Sequence, residues 1–351
     1  MRFLLLPFSW LYGLVMFCRN KAFDLGVLRS ESVGVPVISV GNMTMGGTGK
    51  TPLVEYTVQR CLFKDRQVAV VSRGYGRAST GVLVVSDGKS VLANAVQGGD
   101  EPVQIAGRFP DARVVVGERR VDAARTAVTR LNADVIVLDD GFQHRYLRRN
   151  LDIVVVDSRR NLLDTPLIPA GERREPLSAM RRASCVALSR VDDAEDGQTW
   201  WGRLAEMWQV PTIHYRYKVS RVVRAKTNVA LPPNELRTKR FFLFSGIGDH
   251  AGFVGQMRRE GMLVVGDMRF PDHHTFSEED VKAIVKRMVD AGADSVLTTE
   301  KDFVRLTAGS ALLDVFGAQH PLHYAEIAVE IVRGKEMFDS MIDRCLEGEV
   351  A

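Results

Sequence analysis

Several features that often indicate a protein's function are scarce in this chain of 351 residues. Cysteine occurs four times, scattered and without a C-x-x-C pair, which argues against a disulfide scaffold and a zinc site and favours a reducing compartment. The formal net charge is only +4, so composition does not indicate nucleic acid as a partner. There is no internal repeat and no low-complexity tract. What remains is a globular chain long enough for two domains, each with a hydrophobic core.

The N-terminus lacks an apolar run long enough to cross a bilayer. Sixteen uncharged residues lie between Arg2 and Arg19, and as a helix they would span roughly 24 Å, less than the hydrocarbon core of about 30 Å. No small-x-small cleavage site follows, which disfavours a signal peptide. A buried core helix is the plain alternative, but Trp10, Tyr12 and the cationic residues behind them favour an amphipathic helix over residues 1–25 that lies in a membrane interface.

Continuous apolar runs, typical of strands buried on both faces, recur along the chain with helical patterns between them. They predict an α/β fold with a mostly parallel sheet covered by helices on both faces, and the glycine-rich loop after the first run makes it P-loop NTPase-like. We expect this domain to occupy residues 26–215. The predicted strands are 35–40, 67–72, 112–117, 134–140, 151–157 and 185–189.

The alternation of apolar runs and helical patterns is interrupted after this domain. Residues 216–236 read as an extended hinge that ends in a Pro-Pro turn, and residues 237–351 read as a smaller α/β domain. Within it, Ser277 and Asp280 form the pattern of a capping box at the start of a helix.

The loop "GNMTMGGTGKTP" follows the first predicted strand and predicts a nucleotide site. Only glycine lets several peptide N–H groups approach a phosphate closely, and Gly49-Lys50-Thr51 stands where a P-loop requires it. The strict pattern would also place glycine at position 44, where this chain has Thr44. Lys50 would reach the β- and γ-phosphates and Thr51 would offer its hydroxyl to Mg²⁺. The predicted ATP-binding residues are Thr44, Met45, Gly46, Gly47, Thr48, Gly49, Lys50 and Thr51.

The strand that ends in Asp139 and Asp140 has the form of a Walker B strand, which delivers a carboxylate to the metal. A plain acidic turn is the alternative, but the P-loop upstream favours a metal site. Gln143 and His144 follow at once, at the carboxyl edge of the sheet where open α/β sheets bind ligands.

Two other glycine-rich loops carry charged residues. In "QGGDEP", Asp100 either accepts a proton from a substrate hydroxyl or caps a helix, and the sequence leaves both open, with Glu101 beside it. In "SRGYGR", Arg73 and Arg77 are suited to binding phosphate oxygens.

The second domain carries two patterns that argue against other functions. His273 and His274 are adjacent in "FPDHHTF", and because neighbouring side chains diverge, a zinc site is disfavoured. In "TTEKD", Lys301 and Asp302 are also adjacent, whereas GTPases need K-x-D, which weakens a GTPase interpretation. Ten arginines and five acidic residues lie between positions 145 and 190, so this stretch is either a solvated basic face or a surface for an anionic substrate or bilayer.

Taken in order, these motifs closely resemble the tetraacyldisaccharide 4'-kinases, the lipid A 4'-kinases of Gram-negative bacteria, from the N-terminal helix to about Leu306. They are "SVGNMTMGGTGKTP", "SRGYGR", "GGDEP", "DDGFQHRYLRRNLDIVVVD", "IPAGERREP", "FPDHHTF" and "TTEKDFVRL". The family shares the missing first glycine of the P-loop.

The resemblance implies transfer of the γ-phosphate of ATP to the 4'-hydroxyl of an acylated glucosamine disaccharide 1-phosphate. It also implies Mg²⁺, a peripheral location on the cytoplasmic face of the bacterial inner membrane, and no obligate protein partner. Asp100 would be the base, aided by His273 when the small domain closes, and Asp139 and Glu172 would lie around Mg²⁺. The remaining implied residues are Lys50 and Asp140 in catalysis and Arg73, Arg77, Glu101, Gln143 and His144 at the substrate.

Two other classes of function remain open from the residues alone. A membrane-associated P-loop NTPase switch would hydrolyse ATP without a phosphate acceptor. A nucleotide-binding scaffold without turnover would tolerate loss of Asp100.

Overall fold

The computed structural model describes residues 2–191, 200–307, 312–317 and 319–348. In these ranges the strands are β1 (Val37–Asn42), β2 (Val68–Ser72), β3 (Leu83–Asp87), β4 (Arg113–Val116), β5 (Val135–Asp139), β6 (Leu151–Asp157), β7 (Cys185–Ser189), β8 (Thr212–Arg224), β9 (Val229–Ala230), β10 (Arg240–Ser245), β11 (Leu263–Arg269), β12 (Ser295–Thr299) and β13 (Leu322–Arg333). The α-helices are α1 (Leu6–Asp24), α2 (Lys50–Phe63), α3 (Ala95–Gly98), α4 (Asp100–Arg108), α5 (Arg120–Leu131), α6 (Trp200–Trp208), α7 (Pro233–Thr238), α8 (His250–Arg259), α9 (Glu278–Asp290), α10 (Glu300–Thr307), α11 (Leu312–Val315) and α12 (Lys335–Leu346).

The strands join in one continuous sheet, in the order β11-β10-β12-β13-β8-β7-β6-β1-β5-β2-β4-β3, with β9 paired to β8. Most neighbours are parallel, and the antiparallel pairs are β3 with β4, β8 with β9 and β8 with β13. The predicted class, a mostly parallel α/β sheet with helices, is confirmed.

Alternate residues of the central strands pack into two separate hydrophobic cores. Ile38 of β1 belongs to the core beneath α2, whereas its neighbour Val37 belongs to the core that includes α5. The same alternation holds for Val137 and Ile136 of β5. Because both faces of these strands are buried, the runs are apolar throughout instead of alternating with polar residues.

The segment predicted as an extended hinge, 216–236, contains most of β8, then β9 and α7. Strand β8 pairs with β7 only as far as Tyr215. Strand β12 pairs with β13 only between Leu322 and Ala325. Between these two ladders the sheet is reduced to β8 and β13, and this two-stranded ribbon connects the half that carries the P-loop with the half built around β10 to β12. The predicted capping box at Ser277 and Asp280 is present at the start of α9.

The last helix returns to the first half of the molecule. The apolar face of α12 joins the core beneath α2, and Tyr56 of α2 donates a hydrogen bond to Asp339 Oδ1 at 2.6 Å. Arg60 of α2 donates to both carboxylate oxygens of Asp343, at 2.9 and 2.6 Å. The structure therefore places α12, which lies within the predicted second domain 237–351, with the P-loop half.

Helix α1 presents large apolar side chains to solvent while one face packs on the body of the protein. Ser9 Oγ donates to the carbonyl of Leu167 at 2.8 Å, and Tyr12 Oη donates to the carbonyl of Arg174 at 2.7 Å. Over the parts of the chain that the structure describes, no helix combines the length and apolarity needed to cross a bilayer. The exposed large apolar residues between positions 4 and 17 are Leu4, Phe8, Trp10, Leu11, Leu14, Val15 and Phe17.

Candidate active site

The loop between β1 and α2 is shaped by glycines at three points. A Cβ at Gly41 would lie 2.5 Å from the backbone nitrogen of Phe142, so the strand and the next loop approach as only glycine allows. Gly46 and Gly49 have φ angles of 89° and 79°, in the left-handed region. Asn42 Nδ2 donates to Thr48 Oγ1 at 2.9 Å and closes the loop across its base. Lys50 then begins α2, with Thr51 in its first turn.

Lys50 and Asp140, which lie ninety residues apart in the chain, form an ion pair of 3.0 Å. Asp140 also accepts a hydrogen bond from Arg174 Nη1 at 2.8 Å. Burial alone would raise the pKa of Asp140, but the charges of Lys50 and Arg174 outweigh it and lower the pKa to about 2. This carboxylate therefore stays ionised and holds the lysine at the mouth of the loop.

Asp139 is in a different environment although it is the adjacent residue. It is buried, and Oδ2 accepts a hydrogen bond from Ser72 Oγ at 3.0 Å, whereas Oδ1 is buried without a partner. Burial, followed by repulsion from Glu101, raises the pKa of Asp139 to about 7. A buried carboxylate oxygen that lacks a donor fits a bound cation, because the cation would supply the missing positive charge.

The third predicted metal ligand, Glu172, meets the loop through its backbone. Its carbonyl accepts the N–H of Met45 at 2.8 Å, while its carboxylate pairs with Arg160 at 2.7 Å and is half exposed. Over the described ranges, no three His, Cys, Asp or Glu side chains form a group that could hold a metal ion by themselves.

Asp100 lies at the first position of α4, and its carboxylate makes no capping hydrogen bond, since Gly99 is the N-cap residue. Asp100 Oδ2 instead accepts a hydrogen bond from Arg305 Nε at 2.6 Å and lies 3.2 Å from His273 Nδ1. Burial would raise the pKa of Asp100, but the hydrogen bond with His273 and the charge of Arg305 outweigh it and lower the pKa. The contacts of Asp100 therefore come from the second half of the molecule.

Arg305 is buried, and besides Asp100 it contacts Gly246, Asp302 and His273. Its Nη1 donates to the carbonyl of Gly246 at 2.7 Å and to Asp302 Oδ1 at 2.8 Å, and its Nη2 lies 3.1 Å from His273 Nδ1. His273 itself has a φ of 59°, uncommon for a residue with a side chain. Its amide is fixed by the Gly246 carbonyl at 3.1 Å. The imidazole is thus held at the junction of the two halves.

A second contact between the halves lies beside the first. Lys301 Nζ pairs with Glu101 Oε1 at 3.0 Å. Burial works in the opposite direction, but the charges of Lys301 and Lys50 contribute to a lowered pKa of Glu101. The charge of Lys50 lowers the pKa of Glu101, and the charge of Glu101 raises the pKa of Asp139. The start of α4 and the nucleotide loop therefore belong to one electrostatic site.

The remaining predicted residues lie around this edge of the sheet with different contacts. Gln143 Nε2 donates to the carbonyl of Asn42 at 2.9 Å, so its side chain supports the loop. His144 is partly buried, and burial followed by Arg120 lowers its pKa to about 4. Arg73 is exposed just after β2, whereas Arg77 is engaged in holding its own loop through Glu118 at 2.6 Å.

Sequence reasoning missed three partners, namely Ser72, Arg174 and Arg305. Ser72 and Arg174 stand in motifs that were recognised, "SRGYGR" and "IPAGERREP". Arg305 also stands in a recognised motif, "TTEKDFVRL", and it lies at i+3 from Asp302 on α10, a spacing on a helix face that could have indicated the buried pair.

Comparison with known proteins identifies the family. A family model described as Tetraacyldisaccharide-1-P 4'-kinase matches residues 1–347. The tetraacyldisaccharide 4'-kinase of Anaeromyxobacter sp. (strain Fw109-5) is 40% identical over 330 residues, which cover 93% of this chain and 87% of that protein. The tetraacyldisaccharide 4'-kinase of Chlorobaculum parvum is 37% identical over 354 residues, which cover 99% and 96%.

A solved structure agrees with the sequence relatives. The crystal structure of "apo" form LpxK from Aquifex aeolicus in complex with ATP superposes with a TM-score of 0.79 at 32% identity, covering 98% of this chain and 99% of that one. The resemblance drawn from the motifs is thereby confirmed, and the chain belongs to the family of tetraacyldisaccharide-1-P 4'-kinases.

Proposed function

We propose that this chain transfers the γ-phosphate of ATP to the 4'-hydroxyl of a tetraacylated glucosamine disaccharide 1-phosphate, a step of lipid A biosynthesis. The observation that carries the site assignment is the position of Asp100. Asp100 contacts His273 and Arg305, which belong to the half built around β10 to β12. The adjacent Glu101 interacts electrostatically with Lys50 and Asp139 of the P-loop half. A base and a phosphate-binding loop in one cleft are what phosphoryl transfer requires.

The chemistry follows from this arrangement. An oxygen lone pair of the 4'-hydroxyl forms the new bond to the γ-phosphorus, the bond between that phosphorus and the β–γ bridging oxygen breaks, and ADP leaves. Asp100 accepts the hydroxyl proton. Lys50 and the loop amides stabilise the charge on the phosphate oxygens.

Mg²⁺ fits the same site, where Asp139 and the Thr51 hydroxyl would hold it and it would neutralise phosphate charge. The orphaned Oδ1 of Asp139 supports this assignment. Glu172, whose carboxylate pairs with Arg160, would have to exchange that partner to join.

We further propose that the lipid is met at a membrane surface. The exposed apolar side chains of α1 are suited to the acyl boundary of a bilayer, and the arginine-rich stretch after position 145 supplies positive charge for anionic lipid. Closure of the half built around β10 to β12 over the P-loop half would exclude water, which competes with the sugar hydroxyl.

The assignment of Asp100 as the base is tested with Asp100→Asn. The asparagine cannot accept the hydroxyl proton, so transfer of label from ATP to the disaccharide lipid in detergent should fall by about 10² to 10⁴, in kcat instead of in KM for ATP. Asp87→Asn is the matched control, because Asp87 accepts backbone N–H groups in a turn at 2.9 and 2.8 Å and should leave transfer unchanged.

Two outcomes would contradict the proposal. Activity of Asp100→Asn within threefold of wild type would end the assignment of the base. Hydrolysis of ATP by the wild type at the same rate with and without the lipid, and no label in the lipid, would favour the NTPase switch.

A further inference from the structure

The carbonyl side of the nucleotide loop is held by side chains from β7, from β8 and from Arg190, which directly follows β7. Three consecutive loop carbonyls, those of residues 47, 48 and 49, each accept from such a side chain. The contacts are Arg190 Nη1 to Gly47 O at 3.4 Å, Ser189 Oγ to Thr48 O at 2.9 Å, Tyr215 Oη to Gly49 O at 3.2 Å and Tyr217 Oη to Gly49 O at 3.3 Å.

These contacts fix the direction of the loop amides. In a planar trans peptide the C=O and the following N–H point to opposite sides, so a carbonyl held from behind turns the next N–H outward. The N–H groups of Thr48, Gly49 and Lys50 therefore face away from β7 and β8. Within the described part of the chain none of these three N–H groups donates to a protein acceptor. Outward, unpaired amides at the start of a helix form the cradle that binds phosphate.

Gly49 and Tyr217 are matched in shape as well as in hydrogen bonding. A Cβ on Gly49 would lie 1.4 Å from Tyr217 Oη, and the φ of Gly49 is 79°. The hydroxyl thus occupies the space that the missing side chain leaves. Tyr215 is fully buried on the same strand, so neither ring is free to move away from the loop without disturbing β8.

Tyr217 also stands where the sheet narrows. It lies beyond the end of the β7 ladder and pairs with Val329 of β13, within the two-stranded ribbon between the halves. The guanidinium of Arg190 lies 5.7 Å from the centre of the Tyr217 ring, and its Nη2 is 3.8 Å from the carboxylate of Asp249, the N-cap residue of α8 in the other half.

We propose that Tyr215 and Tyr217 are positioning residues for the phosphate donor, because their hydroxyls hold the Gly49 carbonyl and so aim the N–H of Lys50 at the phosphates. The inference rests on the proposed binding of ATP phosphates by this loop. Because Tyr217 belongs to the ribbon between the halves, its hydroxyl links this ribbon to the phosphate cradle.

The test removes the hydroxyls and keeps the rings. In Tyr217→Phe the other hydroxyl remains, and the dissociation constant for ATP, measured by calorimetry without lipid acceptor, should rise about 2- to 3-fold; in Tyr215→Phe/Tyr217→Phe it should rise about 10-fold, the size expected when a buried carbonyl loses its donors. The KM for the lipid should stay unchanged. Tyr56→Phe is the matched control, because its hydroxyl bonds Asp339 on the far side of α2 and its loss should leave ATP affinity unchanged.

The outcomes separate this inference from the proposed function. Wild-type ATP affinity in a folded double variant, or an equal loss of affinity for ATP and lipid, would overturn the role of the tyrosines. If the double variant does not fold, Tyr217→Phe alone must raise the dissociation constant for ATP for the inference to stand. A wild-type protein that binds ATP but transfers no phosphate would overturn the function and leave the inference intact.

Discussion

Arg305 contacts three ionisable side chains, those of Asp100, Asp302 and His273. The guanidinium stays charged at any ordinary pH and can only donate hydrogen bonds, so it stabilises the ionised form of Asp100 directly. His273 Nδ1 lies within reach of both Arg305 and Asp100, and it either accepts from the first or, when protonated, donates to the second. The hydrogen bond with His273 and the charge of Arg305 together lower the pKa of Asp100.

This role of Arg305 predicts a shift in the pH profile. Asp100 must be ionised to act as a base, so kcat/KM rises with pH through its pKa, and removing the positive charge raises that pKa. We expect Arg305→Gln to move the acid limb of the profile to higher pH. Arg305→Lys keeps the charge and should move the limb less, and a profile that merely drops in height in both variants would indicate a purely structural role.

Individual site residues could be predicted from the sequence where a known motif fixes their position. The residues that hydrogen-bond to those site residues were missed. Lys50, Asp139 and Asp140 were predicted because a P-loop and a Walker B strand place them by spacing. Ser72 and Arg305 were missed because their partners, Asp139 and Asp100, lie 67 and 205 residues away in the chain. No local pattern records such a contact. Their roles in catalysis remain predictions.

Helix α1 illustrates an element with two tasks on opposite faces. Its exposed face carries Trp10 and Leu14, 72% and 58% exposed, while the other face bonds the loop that carries Arg174, the partner of Asp140. Arg19 of the same helix donates to the carbonyl of Gln143 at 2.7 Å. Deleting the helix would disturb the site as well as the surface, so point substitutions on the exposed face are the sharper test.

We expect Trp10→Glu/Leu14→Glu to weaken partition onto vesicles of anionic lipid by at least about tenfold, because each side chain contributes about 1.5–3 kcal/mol when buried in an apolar phase. ATP affinity should not change, since neither residue contacts the loop that carries Arg174. Val229→Glu, at an exposed valine of β9 in the other half, is the control. Partition equal to that of wild type in the double variant would show that the exposed face of α1 has no part in membrane binding.

The elements themselves were largely predictable where packing is simple. Each of the six apolar runs predicted as strands coincides with a strand, because burial on both faces leaves a continuous apolar signal, although β1 continues two residues beyond its predicted end. These strands are β1, β2, β4, β5, β6 and β7. The ribbon of β8 and β13 was not predicted as such. Residues 216–221 of β8 are all exposed or only partly buried, so they leave no continuous apolar run. The pairing with β13 spans about a hundred residues of chain, so the sequence there indicates only extended chain.

Across the whole molecule, a buried charge cluster joins the two halves behind the site. Arg108 Nη1 contacts Glu55 at 2.6 Å and Glu300 at 3.3 Å, and Gln104 Nε2 bridges the same two carboxylates at 2.9 and 3.3 Å. Glu326 and Arg221 form an ion pair at the edge of the cluster. Burial first, then repulsion by Glu55, raises the pKa of Glu300 to about 8, and burial raises that of Glu55 to about 7.

The cluster predicts that stability depends on pH. Because the folded state holds protons here that the unfolded chain releases near its ordinary glutamate pKa of 4.5, stability should fall as pH rises from about 4.5 through about 8. We expect Glu300→Gln to lose less melting temperature between pH 5 and pH 8.5 than wild type does. Glu278→Gln, at an exposed glutamate paired with Lys282, should behave like wild type. The same pH slope in all three proteins would show that the cluster takes up no proton.

The return of α12 to the P-loop half sets an order of events during synthesis. The apolar face of α2 lacks its cover until residues 335–346 have left the ribosome, so a nascent chain cannot complete the core beneath its nucleotide loop before α12 has been synthesised. Helix α1, by contrast, precedes both α2 and α12 in the chain and leaves the ribosome before them. Membrane binding by α1, as proposed, would therefore bring the growing polypeptide to the bilayer before the core beneath its nucleotide loop is complete.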